Sequence, residues 1–199
     1  MSNYNGVIDE LIKGEWTNPE DQKKYGIPIK KIEIRKTLDG LEKDLIKSLH
    51  SDQRLLIVSD PFTHNAMGSR IFKNIKGKVN VDEYIWENPS SSIEGVEHLR
   101  EKIKDYDGMI AVGSGTVSDS IKYATFLEKK TYSVFATTPM NAYTTGTASI
   151  SFNGVKKSLV AHYAQGVFFD LEVLSNCPKR LTAAAFADVI CRTTAQVDW

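Results

Sequence analysis

The chain has 199 residues, of which 41% are hydrophobic and 25% are charged, and its formal net charge at pH 7 is zero. These values are typical of a globular domain and exclude an intrinsically disordered chain. The balanced charge gives no indication of a nucleic-acid partner or of an anionic membrane surface.

The features that report on cellular compartment favour the cytoplasm. The two cysteines, Cys177 and Cys191, have the spacing of neither a disulfide framework nor a metal-binding pair. The N-terminus lacks a signal-like apolar segment, and no apolar stretch approaches the length of a membrane span. We therefore expect a cytoplasmic protein that does not bind a membrane.

Strand-like and helix-like segments alternate along the first two thirds of the chain. In order, the patterns predict a strand at Ile29–Ile34, a helix at Leu38–Leu49, a strand at Leu55–Ser59, a helix over 65–75, a strand around Tyr84–Trp86, a helix over 91–104, a strand at Met109–Val112, a helix reaching Lys130 and a strand at Tyr132–Ala136. This alternation predicts an α/β fold with a Rossmann-like parallel sheet and helices on both faces.

A different pattern follows the last of these strands. The segments are, in order, strands at Ser149–Phe152 and Val155–Val160, a strand segment at Gly166–Leu174, a break at Cys177-Pro178 and an alanine-rich helix at Leu181–Val197. Asn153-Gly154 separates the first two strands and favours a type I′ turn, which predicts a β-hairpin.

The segment Gly113-Ser114-Gly115-Thr116 follows a buried strand and opens a helix. Small residues at such a junction let a phosphate approach the backbone, and the free N–H groups of the first helical turn bind it. Thr116 and Asp119 have the spacing of a capping box, and Lys122 falls off the apolar face of the helix. The third glycine of the dinucleotide fingerprint is absent, so this motif alone leaves a phosphate cradle and a plain turn equally open.

Polar or small residues also follow the other predicted strands. They are Asp60, Glu87, the Gly113–Thr116 turn and Thr137-Thr138. Ligands of parallel α/β sheets bind beyond the carboxyl ends of the strands, so the agreement among these positions favours the phosphate cradle.

Two carboxylates are candidates for specific chemistry, each with a simpler alternative. Asp60 is placed to accept hydrogen bonds from a ribose diol, or to cap the turn that follows it. Asp188 lies among small and apolar residues, where an ionised carboxylate needs a cation or a donor, although a place on the helix surface explains it equally well. The four histidines (His50, His64, His98 and His162) lack metal-ligand spacing.

The most distinctive residues form an ordered series from the glycine turn onward. They are Gly113-Ser114-Gly115-Thr116, Asp119, Lys122, Val134-Phe135-Ala136-Thr137-Thr138-Pro139-Met140-Asn141-Ala142-Tyr143, Ala148-Ser149-Ile150, Phe169-Asp170-Leu171, Cys177-Pro178-Lys179-Arg180-Leu181, Ala185-Phe186-Ala187-Asp188, Arg192-Thr193-Thr194-Ala195 and Asp198-Trp199. As a set they resemble the glycerol-1-phosphate dehydrogenases, which belong with the iron-type alcohol dehydrogenases, glycerol dehydrogenases and dehydroquinate synthases.

This resemblance implies a dehydrogenase that uses NAD or NADP and a divalent metal (zinc, nickel or iron) to interconvert dihydroxyacetone phosphate and glycerol-1-phosphate or a related polyol phosphate. By position, Asp60 would face the adenosine ribose, and Gly113, Ser114, Gly115 and Thr116 the pyrophosphate. The residues implied to line the cofactor and its nicotinamide side are Asp119, Thr137, Thr138 and Tyr143. Asp188 matches the metal-binding aspartate of the family.

The chain departs from the family in several places. It ends before the two histidine ligands of the metal, which would lie beyond residue 199. Asn141 stands where relatives carry an acidic residue near the substrate. Three alanines (Ala142, Ala185 and Ala187) replace glycines common in the family. The resemblance therefore implies a dinucleotide-binding domain at 1–176 and, at 177–199, the first helix of a truncated helical domain.

Two other functions stay open. The dehydroquinate synthases carry out lyase and cyclase chemistry with NAD and a metal, and a nucleotide-binding domain without catalytic activity needs no metal. We also expect self-association, because the helix that carries Asp188 would expose an apolar face without its packing partners.

Overall fold

The computed structural model describes residues 4–195; residues 1–3 and 196–199, including Asp198 and Trp199 of the resemblance, lie outside the described part. The strands are β1 (Trp16–Thr17), β2 (Lys24–Tyr25), β3 (Lys31–Arg35), β4 (Leu55–Ser59), β5 (Val81–Ile85), β6 (Gly108–Gly113), β7 (Thr131–Ala136), β8 (Thr147–Phe152), β9 (Val155–Val160) and β10 (Gly166–Asp170). The α-helices are α1 (Tyr4–Lys13), α2 (Glu42–Lys47), α3 (Pro61–Thr63), α4 (Ser69–Ile75), α5 (Ile93–Lys102), α6 (Gly115–Leu127), α7 (Leu171–Ser175) and α8 (Lys179–Ala195). A π-helical turn joins α3 to α4 (His64–Gly68), and a 3-10 turn follows β7 (Ala142–Thr144).

A six-stranded parallel sheet is the centre of the fold, in the order β3-β10-β7-β6-β4-β5. The buried strands β4, β6 and β7 lie side by side in the sheet, and helices connect each successive strand from β4 to β7, as parallel pairing requires. The carboxyl ends of these strands therefore meet at one edge of the sheet. This architecture confirms the predicted α/β fold.

The two faces of the sheet are covered by different helices. Leu56 and Val58 of β4 pack in one apolar cluster with residues of α5, α6 and β8. Leu55 and Ile57 pack in the other, with residues of α2 and α4. Successive side chains of a strand point to opposite faces, and so one wholly apolar strand contributes to both layers of the core.

Several elements are shorter than their sequence patterns predict, among them one helix and one strand. The helix predicted at Leu38–Leu49 is limited to α2. The strand predicted at Gly166–Leu174 ends at Asp170, whose side chain accepts hydrogen bonds from the N–H groups of Glu172 (3.1 Å) and Val173 (3.2 Å). This N-cap starts α7 in the middle of an apolar run.

The predicted hairpin is confirmed as β8 and β9, paired antiparallel. Asn153 and Gly154 at its tip have φ values of 48° and 79°, the left-handed conformation that a type I′ turn requires at both positions. Ala148 and Ile150 of β8 are buried in the core, so the hairpin is fixed to the α6 side of the sheet.

Helix α8 confirms the helix predicted after the Cys177-Pro178 break, as far as the described residues extend. Ala185 is buried, whereas Phe186, Val189 and Ile190 are exposed. The predicted apolar face is therefore present on this helix. None of the helices within residues 4–195 has both the length and the apolar character needed to cross a bilayer.

Candidate functional site

Two adjoining clefts open at the carboxyl edge of the parallel sheet. Cleft 1 has a volume of about 650 Å³ and cleft 2 of about 540 Å³, and Ser114 and Leu181 line both. The predicted site residues that line cleft 1 are Asp60, Ser114, Thr137 and Thr138. Those that line cleft 2 are Ser114, Gly115, Thr116, Asp119, Asn141 and Asp188. The structure thus gathers residues from four separate segments around the start of α6.

The glycine turn forms the junction between the clefts. Ser114 is the N-cap of α6 and makes no side-chain capping bond, and the backbone N–H groups of the first helical turn have no partner within the helix. A Cβ added at Gly115 would meet the flexible end of Met140 at 3.4 Å, whereas one added at Gly113 would meet the Cβ of Val117 at 2.7 Å. Space for a ligand thus lies at Gly115, and Gly113 is required by helix packing.

The predicted capping box of Thr116 and Asp119 is wrong. Asp119 is turned away from the helix start, and its Oδ2 accepts the N–H of Ser149 at 3.2 Å. Its Oδ1 lies 3.4 Å from Nζ of Lys122. Burial raises the pKa of Asp119, and the charge of Lys122 opposes that rise.

Lys122, predicted to lie off the apolar face, is fully buried on α6. Burial lowers the pKa of this ammonium, and the nearby carboxylate of Asp119 opposes that effect. Helical periodicity predicts that this lysine is exposed to solvent. It is buried because polar groups outside the helix accept hydrogen bonds from its ammonium.

Tyr143 lies beneath the glycine turn and lines neither cleft. Its hydroxyl donates to the carbonyl of Gly113 at 3.0 Å and lies 2.8 Å from the hydroxyl of Thr138. Burial raises the pKa of Tyr143 to about 12, so the phenol is neutral at physiological pH. In this structure the hydroxyl of Tyr143 supports the glycine turn through Gly113, and the implied contact of Tyr143 with the nicotinamide side stays a prediction.

Asp60 caps the helix that follows β4. Its Oδ1 accepts the N–H groups of Phe62 (2.8 Å) and Thr63 (2.9 Å), and the Thr63 hydroxyl accepts the N–H of Asp60 at 3.0 Å in return. Both capping bonds use Oδ1, and among the described residues Oδ2 has no hydrogen-bond donor. The capping alternative is therefore observed, and the ribose contact stays a prediction for the second oxygen.

One buried hydroxyl of cleft 1 fits a polar ligand. Oγ1 of Thr137 is buried without a hydrogen-bond partner among the described residues, and Thr137 lines the cleft beside Asp60. Buried hydroxyl groups are normally satisfied, so an unpaired one at the edge of a cleft fits an oxygen-rich group such as a phosphate or a ribose.

Asp188 lies on the face of α8 that lines cleft 2. Its side chain is 46% exposed and lies 3.6 Å from Nη2 of Arg192, so the carboxylate is not in the apolar surroundings that its sequence neighbours indicate. Within residues 4–195 there is no group of three or more His, Cys, Asp or Glu side chains able to hold a metal ion. Asp188 therefore fits one ligand position of a metal site and no more.

The histidines have local partners rather than a shared site. His50 contacts Ser133, His64 contacts Glu83, His98 contacts Tyr84 and His162 contacts Thr125. Burial lowers the pKa of His50 and that of His162.

Several residues of the clefts were not predicted from the sequence. Phe62 lines cleft 1 with 87% of its surface exposed, and Arg180 lies across the same cleft. Lys156 and Arg192 line cleft 2. Phe62 directly follows the Asp60-Pro61 strand end, and this position is the indication that the sequence offers. Arg180 and Arg192 belong to the series that carries the resemblance but had no role assigned, and Lys156 comes from the hairpin.

The sequence profile of the family described as iron-containing alcohol dehydrogenase matches residues 33–178. The chain belongs to this family. The matched segment runs from within β3 to the residue directly before α8 and contains the strand ends and the glycine turn that line cleft 1.

Curated members of the family extend well beyond this chain. The chain is 28% identical over 188 residues to glycerol-1-phosphate dehydrogenase (NAD(P)+) of Bacillus subtilis, covering 87% of the chain and 46% of that protein. It is 32% identical over 159 residues to the enzyme of the same name from Pyrococcus abyssi, covering 78% and 45%. The chain thus spans about half the length or less of the curated relatives it matches.

Solved structures of other dehydrogenases share the fold. NADH-dependent butanol dehydrogenase A of Thermotoga maritima matches with a TM-score of 0.71 and 17% identity, over 84% of this chain and 49% of that one. Glycerol dehydrogenase of Schizosaccharomyces pombe matches with a TM-score of 0.68 and 19% identity, over 77% and 40%. At these identities the likeness supports the fold alone.

Proposed function

We propose that this chain binds NAD or NADP across the two clefts and forms the nucleotide-binding part of a metal-dependent oxidoreductase. The observation that carries the proposal is the position of Ser114-Gly115-Thr116 at the junction of both clefts. The start of a 13-residue helix favours an anion at that point, and the pyrophosphate is the central anion of a dinucleotide.

Each half of the dinucleotide has suitable partners in one cleft. In cleft 1, Oδ2 of Asp60 accepts hydrogen bonds from the adenosine ribose, and the exposed ring of Phe62 offers an apolar surface to the base. In cleft 2, Asp119 and Asn141 face the nicotinamide half. The charge of Asp60 opposes a 2′-phosphate and so favours NAD over NADP.

The substrate we propose is dihydroxyacetone phosphate or a related phosphorylated ketone, in line with the names of the curated relatives. Asp188 would supply one ligand to a zinc, nickel or iron ion whose other ligands lie beyond residue 199. When bound, such a cation polarises the ketone that accepts hydride from the nicotinamide. Asp119 and Asn141 would orient the reacting end of the cofactor.

The domain division proposed from the sequence, 1–176 and 177–199, fits this role. Helix α8 faces cleft 2 with Asp188 and leaves Phe186, Val189 and Ile190 exposed. We propose that it begins a helical domain, and that the 199-residue chain self-associates through this face. A nucleotide-binding domain without catalysis is the second candidate, because residues 4–195 hold no complete metal site.

Isothermal titration calorimetry with NADH tests the proposal. A Cβ at Gly115 meets nothing closer than 3.4 Å, at the end of Met140, so Gly115→Ala preserves the fold while filling the space that a phosphate would approach. We expect NADH affinity to fall by about tenfold or more in Gly115→Ala. Gly68→Ala is the matched control, because its Cβ also meets its nearest neighbour at 3.4 Å and Gly68 lines neither cleft. Equal NADH affinity in the two variants would place the pyrophosphate elsewhere.

Catalysis needs the longer protein. Net oxidation of NADH with dihydroxyacetone phosphate in a chain extended past Trp199 is the expected result for a dehydrogenase. A dehydroquinate synthase-like enzyme would turn over without net NADH consumption, because such enzymes regenerate their cofactor within each cycle. No turnover of either kind in a metal-loaded extended chain would favour the non-catalytic alternative.

A further inference from the structure

Lys122 is a fully buried lysine in the helix that carries the glycine turn. Its ammonium nitrogen lies 2.7 Å from the carbonyl of Ala142 and 2.9 Å from the carbonyl of Thr147. It also lies 3.3 Å from the hydroxyl of Thr145 and 3.4 Å from Oδ1 of Asp119. The three protons of the ammonium are therefore shared among groups that all belong to cleft 2.

These partners are the wall of cleft 2 rather than the general core. Ala142, Thr145, Thr147 and Asp119 all line this cleft, and none of them lines cleft 1. Ala142 and Thr145 lie on the connection between β7 and β8, whose one regular element is a 3-10 turn, and Thr147 is the first residue of β8. Lys122 donates from α6 to the carbonyl groups of Ala142 and Thr147, in addition to the local hydroxyl of Thr145.

The pair of Lys122 and Asp119 also ties this connection to the hairpin. Asp119 accepts the backbone N–H of Ser149 in β8 with the oxygen that Lys122 does not approach. One helix thus holds both ends of the segment 142–149. A buried ammonium is costly, and an apolar residue of the same length would fill the space at lower cost, so the contacts imply a positional role rather than added stability.

We propose that Lys122 is a positioning residue for the nicotinamide half of the dinucleotide: it fixes the 142–147 wall and Asp119 of cleft 2 relative to the glycine turn. This inference rests on the proposed binding of NAD(H) across both clefts. It separates the two halves of the ligand, because the adenosine half in cleft 1 contacts none of the groups that Lys122 holds.

The test compares two ligands on the purified 199-residue chain. ADP shares the adenosine and the pyrophosphate with NADH and lacks the nicotinamide riboside. In Lys122→Met we expect NADH affinity to fall about tenfold and ADP affinity to stay within about twofold of wild type. Lys130→Met is the matched control. Lys130 also donates to three backbone carbonyls, those of Ile103, Lys104 and Tyr106, but none of these residues lines either cleft, and both affinities should stay unchanged.

Thr145→Val is a second variant that leaves the buried charge in place. The Thr145 hydroxyl lies 3.0 Å from the carbonyl of Ala142 and 3.2 Å from that of Thr147, either of which accepts its one proton, and it accepts from Nζ of Lys122 at 3.3 Å. We expect a smaller loss of NADH affinity, about threefold, and again no change for ADP. This variant tests the positioning role if Lys122→Met does not fold.

Hydrogen exchange gives a measurement that needs no ligand. Amides of residues 142–149 should exchange faster in Lys122→Met or Thr145→Val than in wild type, with no change in the sheet strands. Equal loss of NADH and ADP affinity, or unchanged exchange in this segment, would overturn the positioning role. Wild-type chain that binds ADP but not NADH, or neither, would instead overturn the proposed function on which it rests.

Discussion

Arg70 holds two buried carboxylates behind cleft 1, and its removal is the sharpest test of the energetics of this fold. Its Nε lies 3.0 Å from Glu42 and its Nη2 2.6 Å from Asp170, and both acidic side chains are 0% exposed. Asp170 also caps α7, whose residues Glu172 and Val173 line the cleft. In Arg70→Met both carboxylates lose their cation without gaining access to water.

We expect Arg70→Met to lower the free energy of unfolding at pH 7 by about 3–5 kcal/mol, the usual cost of leaving a buried charge without its partner. Arg100→Met is the matched control, because Arg100 also bridges two carboxylates, at 2.9 Å (Glu97) and 2.6 Å (Glu128). Those side chains are 52% and 27% exposed, so water and salt screen them, and we expect a loss of about 1 kcal/mol or less.

The pH dependence gives a second measurement. Burial acts to raise the pKa of Asp170, but the N–H of Leu38 and the guanidinium of Arg70 outweigh it and hold this pKa below its usual value. A carboxylate whose pKa is lower in the folded state stabilises the fold fully at pH values above its unfolded-state pKa of about 3.9. This contribution is lost as the pH falls through the folded-state pKa. The difference in free energy of unfolding between wild type and Arg70→Met should therefore become smaller under acidic conditions.

Urea denaturation of the three proteins at pH 7 and at acidic pH provides these values, with the slope against denaturant checked for constancy. Similar losses of unfolding free energy in Arg70→Met and Arg100→Met would refute the reasoning, because burial of the carboxylates would then not determine how much stability is lost. If the difference in free energy of unfolding between wild type and Arg70→Met stays constant with pH, the loss of stability does not depend on the charge of Asp170.

Two further predictions concern the cofactor and the metal. Asp60→Asn keeps a capping acceptor for Phe62 and Thr63 and removes the charge, so the ratio of NAD to NADP affinity should fall toward one in calorimetry; an unchanged ratio would limit Asp60 to its capping role. The purified 199-residue chain should contain less than one zinc, nickel or iron ion per chain by elemental analysis, because such ions need three or more protein ligands and residues 4–195 hold no such group. In a longer protein that binds metal, Asp188→Asn should abolish metal binding. Stoichiometric metal in the 199-residue chain itself would contradict the prediction.

The sequence determined the architecture and the position of the site. Apolar segments that alternate with amphipathic ones predicted the parallel sheet, and Asn153-Gly154 predicted the hairpin, because each depends on side chains close together in the chain. The edge of the sheet that carries the clefts followed as well, since parallel strands bring their carboxyl ends together. The resemblance added Asn141 and Asp188, which both line cleft 2.

Only the tertiary structure decided what several of these residues contact. Lys122 and Asp119 have helical spacings that favour a solvated face and a capping box, yet their partners lie on a connection and a hairpin 20 or more residues away. Asp170 ends its strand and meets Arg70 at a separation of 100 residues. Local periodicity reports the side of an element that is apolar on average. The position of a buried polar side chain depends on donors and acceptors that the fold brings from distant segments, and no local sequence pattern encodes these partners.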